Sequence, residues 1–245
     1  MKAIHTPKTD ARYWSAITLA SIFGTNLGDF YAHESGLGLI GGLPILVALF
    51  AAVFLVERFD RLEHDGYYWA AIIIIRTGAT NIADYLAFRM HINQLLLSTV
   101  LALAIAALVW RPSKMALSLD AQTPGKGLPN TNGKYWAAML CAGVFGTVVG
   151  DVCSHYWSQA IASVVLGAML AAALFAGRKG RLKTLYYYWF TVAIVRTAGT
   201  AMGDWLAENK ILHIGLPVAT VITGAVFVGI LVLWRSRTPG ELAPA

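Results

Sequence analysis

Four aspartates, four threonines, two arginines and two histidines stand at fixed distances from four Tyr-Trp pairs, Tyr13-Trp14, Tyr68-Trp69, Tyr135-Trp136 and Tyr188-Trp189. Eleven residues after each Trp is a threonine: Thr25, Thr80, Thr147 and Thr200. Fifteen residues after each Trp is an aspartate: Asp29, Asp84, Asp151 and Asp204. Arg76 and Arg196 lie seven residues after the second and fourth Trp, and His33 and His155 nineteen after the first and third. Offsets of 7, 11, 15 and 19 are four apart, so on a helix they form one face. The four faces read Ser21, Thr25, Asp29, His33; Arg76, Thr80, Asp84, Phe88; Gly143, Thr147, Asp151, His155; and Arg196, Thr200, Asp204, Glu208.

This set suits cation or proton chemistry. Two arginines against four aspartates leave two carboxylates that must be protonated, hydrated or bound to a cation. Asp29 and Asp151 are the expected pair, because their units lack Arg and carry His33 and His155 four residues on. An Asp and a His one turn apart suit a borderline divalent metal, and equally a proton relay. Arg76 and Arg196 are expected to neutralise aspartates on neighbouring helices, since eight residues within one helix separate them by about 12 Å. The bland alternatives are plain: threonines bond back to their own helix, Tyr-Trp pairs anchor at an interface, and the charges form a lattice that only fixes helix register. Gly24 and Gly28, Ala79 and Ala83, Gly146 and Gly150, and Gly199 and Gly203, ten and fourteen residues after each Trp, read as a helix-packing motif.

The elements that carry these residues belong in a membrane. The chain has 245 residues, 57% hydrophobic and 13% charged, with a mean hydropathy of +0.60, where a soluble domain averages about 25% charged. Four stretches are long, apolar and nearly uncharged: Leu37–Val56, Ile92–Trp110, Trp157–Gly177 and Leu212–Trp234. Each is close to the roughly 20 residues that span a bilayer as a helix. Four more, near 12–32, 66–87, 134–156 and 185–207, are apolar but punctuated by the motif. Eight spans place 15 of the 19 basic residues on one side, two on the other (Arg89 and Lys210) and two inside spans (Arg76 and Arg196). This is the positive-inside pattern with both termini in the cytoplasm. It accounts for the net charge of +6 without nucleic acid. No cleavable signal peptide is evident, and Cys141 and Cys153 suggest no disulfide framework.

The expected fold is all-α: a polytopic membrane protein of eight transmembrane helices, arranged as four parallel two-helix repeats with pseudo-symmetry about the membrane normal. Residues 1–111 form a first half, 112–133 a cytoplasmic linker rich in Pro, Gly, Asn and Thr, and 134–245 a second half. The odd–even alternation of His and Arg is consistent with duplication of a four-span half. With its Trp in every unit, the pattern resembles a family of bacterial multi-spanning inner-membrane proteins built from four tandem two-helix repeats of unknown function. That resemblance implies architecture and the bacterial plasma membrane, and adds no chemistry.

The expected function is transport. The ion-binding set is Asp29, Asp84, Asp151, Asp204, Thr25, Thr80, Thr147, Thr200, Arg76 and Arg196, with Asp29, His33, Asp151 and His155 as metal ligands and a divalent metal or proton as the moving species. The alternatives are a proton-coupled carrier of a small organic anion held by Arg76 and Arg196, and a structural membrane protein. No nucleotide loop or Ser-His-Asp elbow is present, so an enzyme is not expected. The partners are the bilayer and a small substrate, with homo-oligomerisation left open.

Overall fold

The computed structural model describes residues 3–60, 64–110, 118–122, 126–178, 184–209 and 212–234. Among them are eight helices of 16 residues or more: α1 (Ala11–Glu34), α2 (Leu43–Phe59), α3 (Gly66–Asp84), α4 (Gln94–Val109), α5 (Gly133–Trp157), α6 (Gln159–Gly177), α7 (Leu185–Glu208) and α8 (Gly215–Leu233). The described residues hold no strand, only an isolated bridge between Ser118 and Thr184. Parts of the linker (111–117 and 123–125), the C-terminal tail, and the basic residues Lys2, Arg61, Arg111, Lys114, Lys179, Arg181, Lys183, Lys210, Arg235 and Arg237 lie outside the described residues.

Helix starts follow local chemistry. Asp10 and Asn132 stand at equivalent places, four residues before Trp14 and Trp136. The Asp10 side chain accepts from the Tyr13 amide at 3.0 Å and Asn132 from the Lys134 amide at 3.0 Å, which satisfies first-turn donors that have no partner in the helix. Asp65, at the same place before Trp69, instead accepts from Trp69 Nε1 at 2.9 Å and from Arg12 Nη1 at 2.6 Å, tying α1 to α3. Pro44 opens α2, where a missing N–H costs nothing.

Among the described residues five helices are long and apolar enough to cross a membrane: Gly38–Phe59, which is α2 with the short turn before it, Gly66–Arg89, α5, α6 and α8. The other three fall short for different reasons. α1 and α7 have 24 residues each but carry more polar groups, and α4 is apolar but 16 residues long.

The four motif helices make a closed ring in which α1 packs on α3, α3 on α5, α5 on α7 and α7 back on α1. Residues of equal offset meet across the ring, so the four run parallel. The apolar helices surround it, but not as simple hairpin partners. α2 packs on α3, α4 on α5, α6 mainly on α7 and α8 mainly on α1, so each outer helix covers the motif helix of the next unit. The two-helix unit of the sequence is therefore not the packing unit of the fold, and the exchange laces the four units together. The described part of the linker is docked rather than free: Leu119 and Leu128 are fully buried, and the Thr9 amide donates to the Lys126 carbonyl at 2.8 Å.

The small residues permit the close approach. A Cβ added at Gly24 would sit 2.5 Å from Arg76 Cγ, one at Gly28 2.8 Å from Thr80 Cβ, and one at Gly150 2.7 Å from Thr200 Cβ. Gly24→Ala is therefore expected to destabilise by about 1–3 kcal/mol, the usual range for overpacking. Gly229→Ala on α8 has nothing within 4 Å of the new Cβ and is expected to be neutral or stabilising by up to about 1 kcal/mol. Unfolding of the two variants in detergent checks the pair. Equal stability would contradict the contact at Gly24.

Candidate functional site on the bundle axis

The residues inside the ring stack in layers, and the first layer is made by the tyrosines. Tyr13, Tyr68, Tyr135 and Tyr188 are at most 3% exposed. Their hydroxyls close a square: Tyr13 to Tyr68 3.1 Å, Tyr68 to Tyr135 2.5 Å, Tyr135 to Tyr188 3.2 Å and Tyr188 to Tyr13 2.5 Å. A phenol donates one hydrogen bond and accepts others, so a four-membered cycle lets each donate one and accept one. Each tryptophan stands edge-on to its own tyrosine and leans on an aromatic ring of a neighbouring helix, as Trp14 does on Tyr188. The Tyr-Trp pairs thus form a buried aromatic layer, where the interfacial-anchor expectation would have turned them outward. Their identical offset in all four units was the signal for a shared layer.

The next layers hold the arginines and threonines. Arg76 is fully buried, and all five of its N–H groups have hydroxyl partners. Nε donates to Ser21 Oγ at 3.3 Å; Nη1 to Thr80 Oγ1 at 3.0 Å and Thr147 Oγ1 at 2.8 Å; Nη2 to Thr25 Oγ1 at 2.5 Å and Thr200 Oγ1 at 2.7 Å. One guanidinium therefore gathers the motif threonine from every helix of the ring. Three of these hydroxyls donate to the carbonyl four residues back, Thr25 to Ser21, Thr80 to Arg76 and Thr200 to Arg196. Their protons are committed to the backbone, which leaves lone pairs for the cation.

Arg196 occupies the equivalent place on α7 but takes another course. It is fully buried, its Nη2 approaches Met139 Sδ at 3.7 Å, and Nε and Nη1 have no hydrogen-bond partner among the described residues. It is the charge that bears most on Arg76. Among the described residues neither arginine pairs with an aspartate; the ion pairs there are Arg12–Asp65, His5–Glu57 and His64–Asp60. The expected Arg–Asp neutralisation is thus corrected. The threonine hydroxyls, one turn on, lie within reach of Arg76 and saturate it, while the aspartates are two turns away.

Asp29, Asp84, Asp151 and Asp204 form the layer above, half-buried where the threonines below them are fully buried. They act on one another and on Arg76 electrostatically, with Glu208 beside them. Among the described residues their carboxylates accept no hydrogen bond and form no ion pair. The last residue of each stripe is exposed: His33, Phe88, His155 and Glu208. At Phe88 the helix also widens into a π-turn over Tyr85–Arg89, directly after Asp84. Glu208 accepts from Gln159 Nε2. His33 and His155 therefore sit on the rim, and among the described residues no three His, Cys, Asp or Glu side chains are placed to hold a metal ion together. Burial falls from the hydroxyl ring to the rim, so the four aspartates lie toward the exposed end of the ring's interior. Sequence reasoning missed Asn26 and Asn81, one residue past Thr25 and Thr80. Both are fully buried with both amide atoms unpartnered.

Thr147→Val removes one acceptor from Arg76, and Tyr68→Phe opens the hydroxyl square. Each is expected to cost about 1–3 kcal/mol, the penalty for stranding a buried polar group. Thr18→Val serves as the control, because Thr18 donates only to the Trp14 carbonyl of its own helix. Equal unfolding free energies for all three variants would contradict the network.

A family model described as a repeat of unknown function (DUF347) matches residues 12–61 and 187–238. No curated protein and no solved structure matches the chain. The two matched segments are similar to that repeat and coincide with the first and fourth units, each a motif helix with the apolar helix after it.

Proposed function

We propose that the chain is an integral membrane transport protein with all eight helices spanning, four parallel repeats about an axis along the membrane normal, and both termini in the cytoplasm of a bacterium. The basic residues around the tyrosine end, Lys8, Arg12, Arg58, Lys126, Lys134 and Arg178, support this orientation, with Arg89 alone at the aspartate end among the described residues. The aspartate vestibule then opens outward and the aromatic layer closes the cytoplasmic side.

The observation that carries the reading is the set of four aspartates with neither a donor nor a counter-ion among the described residues, gathered above a guanidinium held by hydroxyls and one backbone carbonyl rather than by carboxylates. Ionisable groups inside spans cost about 2.5–3.5 kcal/mol each even on lenient scales and are characteristically functional. The vestibule concentrates cations, and its carboxylates exchange protons with the outside. With His33 and His155 on the rim, the carboxylates make the site by themselves. This favours protons, or a cation that keeps part of its water, over a metal caged by Asp and His. Arg76 is the plug: moving it off the threonine ring opens the axis from the vestibule toward Arg196 and the tyrosines. Its donors are all engaged, so an organic anion would have to reach Arg196.

A second reading has one observation in its favour. The complete satisfaction of Arg76 is also what an architectural lattice requires.

Flux measurements in proteoliposomes separate the two. Asp29→Asn/Asp151→Asn is expected to abolish proton or cation flux while leaving stability unchanged or raised, because it relieves repulsion among like charges. Wild-type flux in this variant would overturn the transport reading. A wild-type protein without flux, combined with lost stability in the variant, would establish the lattice.

A further inference from the structure

The ring has two seams between its halves, α1 against α7 and α3 against α5, and they are not equivalent. At the α3/α5 seam, α2 and α5 both pack on α3. Phe50 and Phe54 of α2 fill the space beside Trp136 of α5, with ring centroids 5.5 and 5.4 Å from the indole. At the α1/α7 seam, α6 and α1 both pack on α7. There α6 offers Gly167, Leu170, Ala171 and Leu174, and among the described residues the rings against Trp14 are those of Tyr13 and Tyr188. The result is a groove of about 770 Å³ between α1 and α6, running from the tyrosine end along the outside of the ring.

The mouth of the groove is cationic and built. Lys8, Lys126 and Arg178 surround it, with Asp10 the single acid, whose carboxylate caps α1. The linker is held there by Thr9, whose amide donates to the Lys126 carbonyl at 2.8 Å and whose hydroxyl donates to the Gly127 carbonyl at 2.7 Å. This brings a cation from the linker beside one from the N-terminal segment and one from the end of α6. None of the three is in an ion pair among the described residues.

We propose that this groove is a binding site for an anionic phospholipid, with the phosphate-bearing headgroup on Lys8, Lys126 and Arg178 and an acyl chain against Trp14, Leu19, Leu170 and Leu174. Three observations fix the occupant. Beyond its mouth the groove is lined mainly by apolar residues, with Ser15 and Thr18 on α1, and it is basic only at one end, as a lipid is amphipathic. Its volume is within the range of about 300–1,000 Å³ typical of small-molecule sites. Its basic end is on the side where the charge pattern places the cytoplasmic leaflet, whose anionic headgroups are attracted to clustered Lys and Arg. The inference needs the membrane reading of the chain and is independent of the transport reading.

The test is thermal unfolding of the full chain in neutral detergent with added phosphatidylglycerol, phosphatidylcholine or inorganic phosphate. Phosphatidylglycerol is expected to raise the melting temperature selectively, as a ligand bound only by the folded state does. Lys8→Ala/Lys126→Ala/Arg178→Ala is expected to abolish the selectivity. Ala171→Phe, which fills the groove as Phe50 and Phe54 fill the other seam, is expected to abolish the shift without lowering the lipid-free melting temperature. Equal shifts with both lipids, a phosphate effect matching that of the lipid, or selectivity surviving in the triple variant would each overturn the proposal.

Discussion

A guanidinium buried without a carboxylate must be solvated by something fixed, and the core of this protein is arranged around that requirement. Arg76 has five donors in a rigid planar fork, and no single helix can supply five acceptors around it. Four helices supply them here, with the motif threonine from each and Ser21 from α1. The helices must then run parallel, in register and close together. Register is maintained one end down by the square of tyrosine hydroxyls. Closeness is maintained by glycines at the crossing points, where any side chain would strike the stem of the arginine or the threonine beside it.

The outer helices add a second constraint. They are almost featureless, so what they recognise is shape and adjacency rather than polar chemistry. Because each covers the motif helix of the next unit, no unit completes its own packing. That arrangement links the fate of the four units, and it matches the general behaviour of repeats that cannot bury their apolar faces alone. It also leaves the two seams between halves free to diverge: one is filled by phenylalanines, the other left as a groove with a basic mouth.

The two arginines show how far identical local sequence can part in three dimensions. Arg76 and Arg196 share offset, flanking threonine and a glycine in the facing helix, Gly24 and Gly146 respectively. The centre of the threonine ring accommodates one guanidinium. Arg76 holds it, and Arg196 lies instead beside Met139 with two of its nitrogens unpartnered among the described residues. The odd–even repeat is thus structurally asymmetric at its centre, and the first half alone carries the buried asparagines Asn26 and Asn81.

The sequence by itself determined what depends on neighbours along the chain. The helices fall at the expected places within a few residues, for instance α5 at Gly133–Trp157 and α7 at Leu185–Glu208, because hydropathy, caps and breakers act locally. The four-residue spacing put threonines and aspartates on one face, and the repeat implied that equal offsets meet. What the tertiary structure decided is which groups satisfy which. Arg76 chose hydroxyls over carboxylates because the hydroxyls are one turn nearer, a difference of a few ångströms that spacing along a chain does not resolve. His33 and His155 fell on the rim because burial ends at the aspartates. The widening of the turn after α3, over Tyr85–Arg89, was not legible in the spacing either. Which outer helix covers which inner one was equally hidden, since four apolar segments of similar composition carry no local label for their partner.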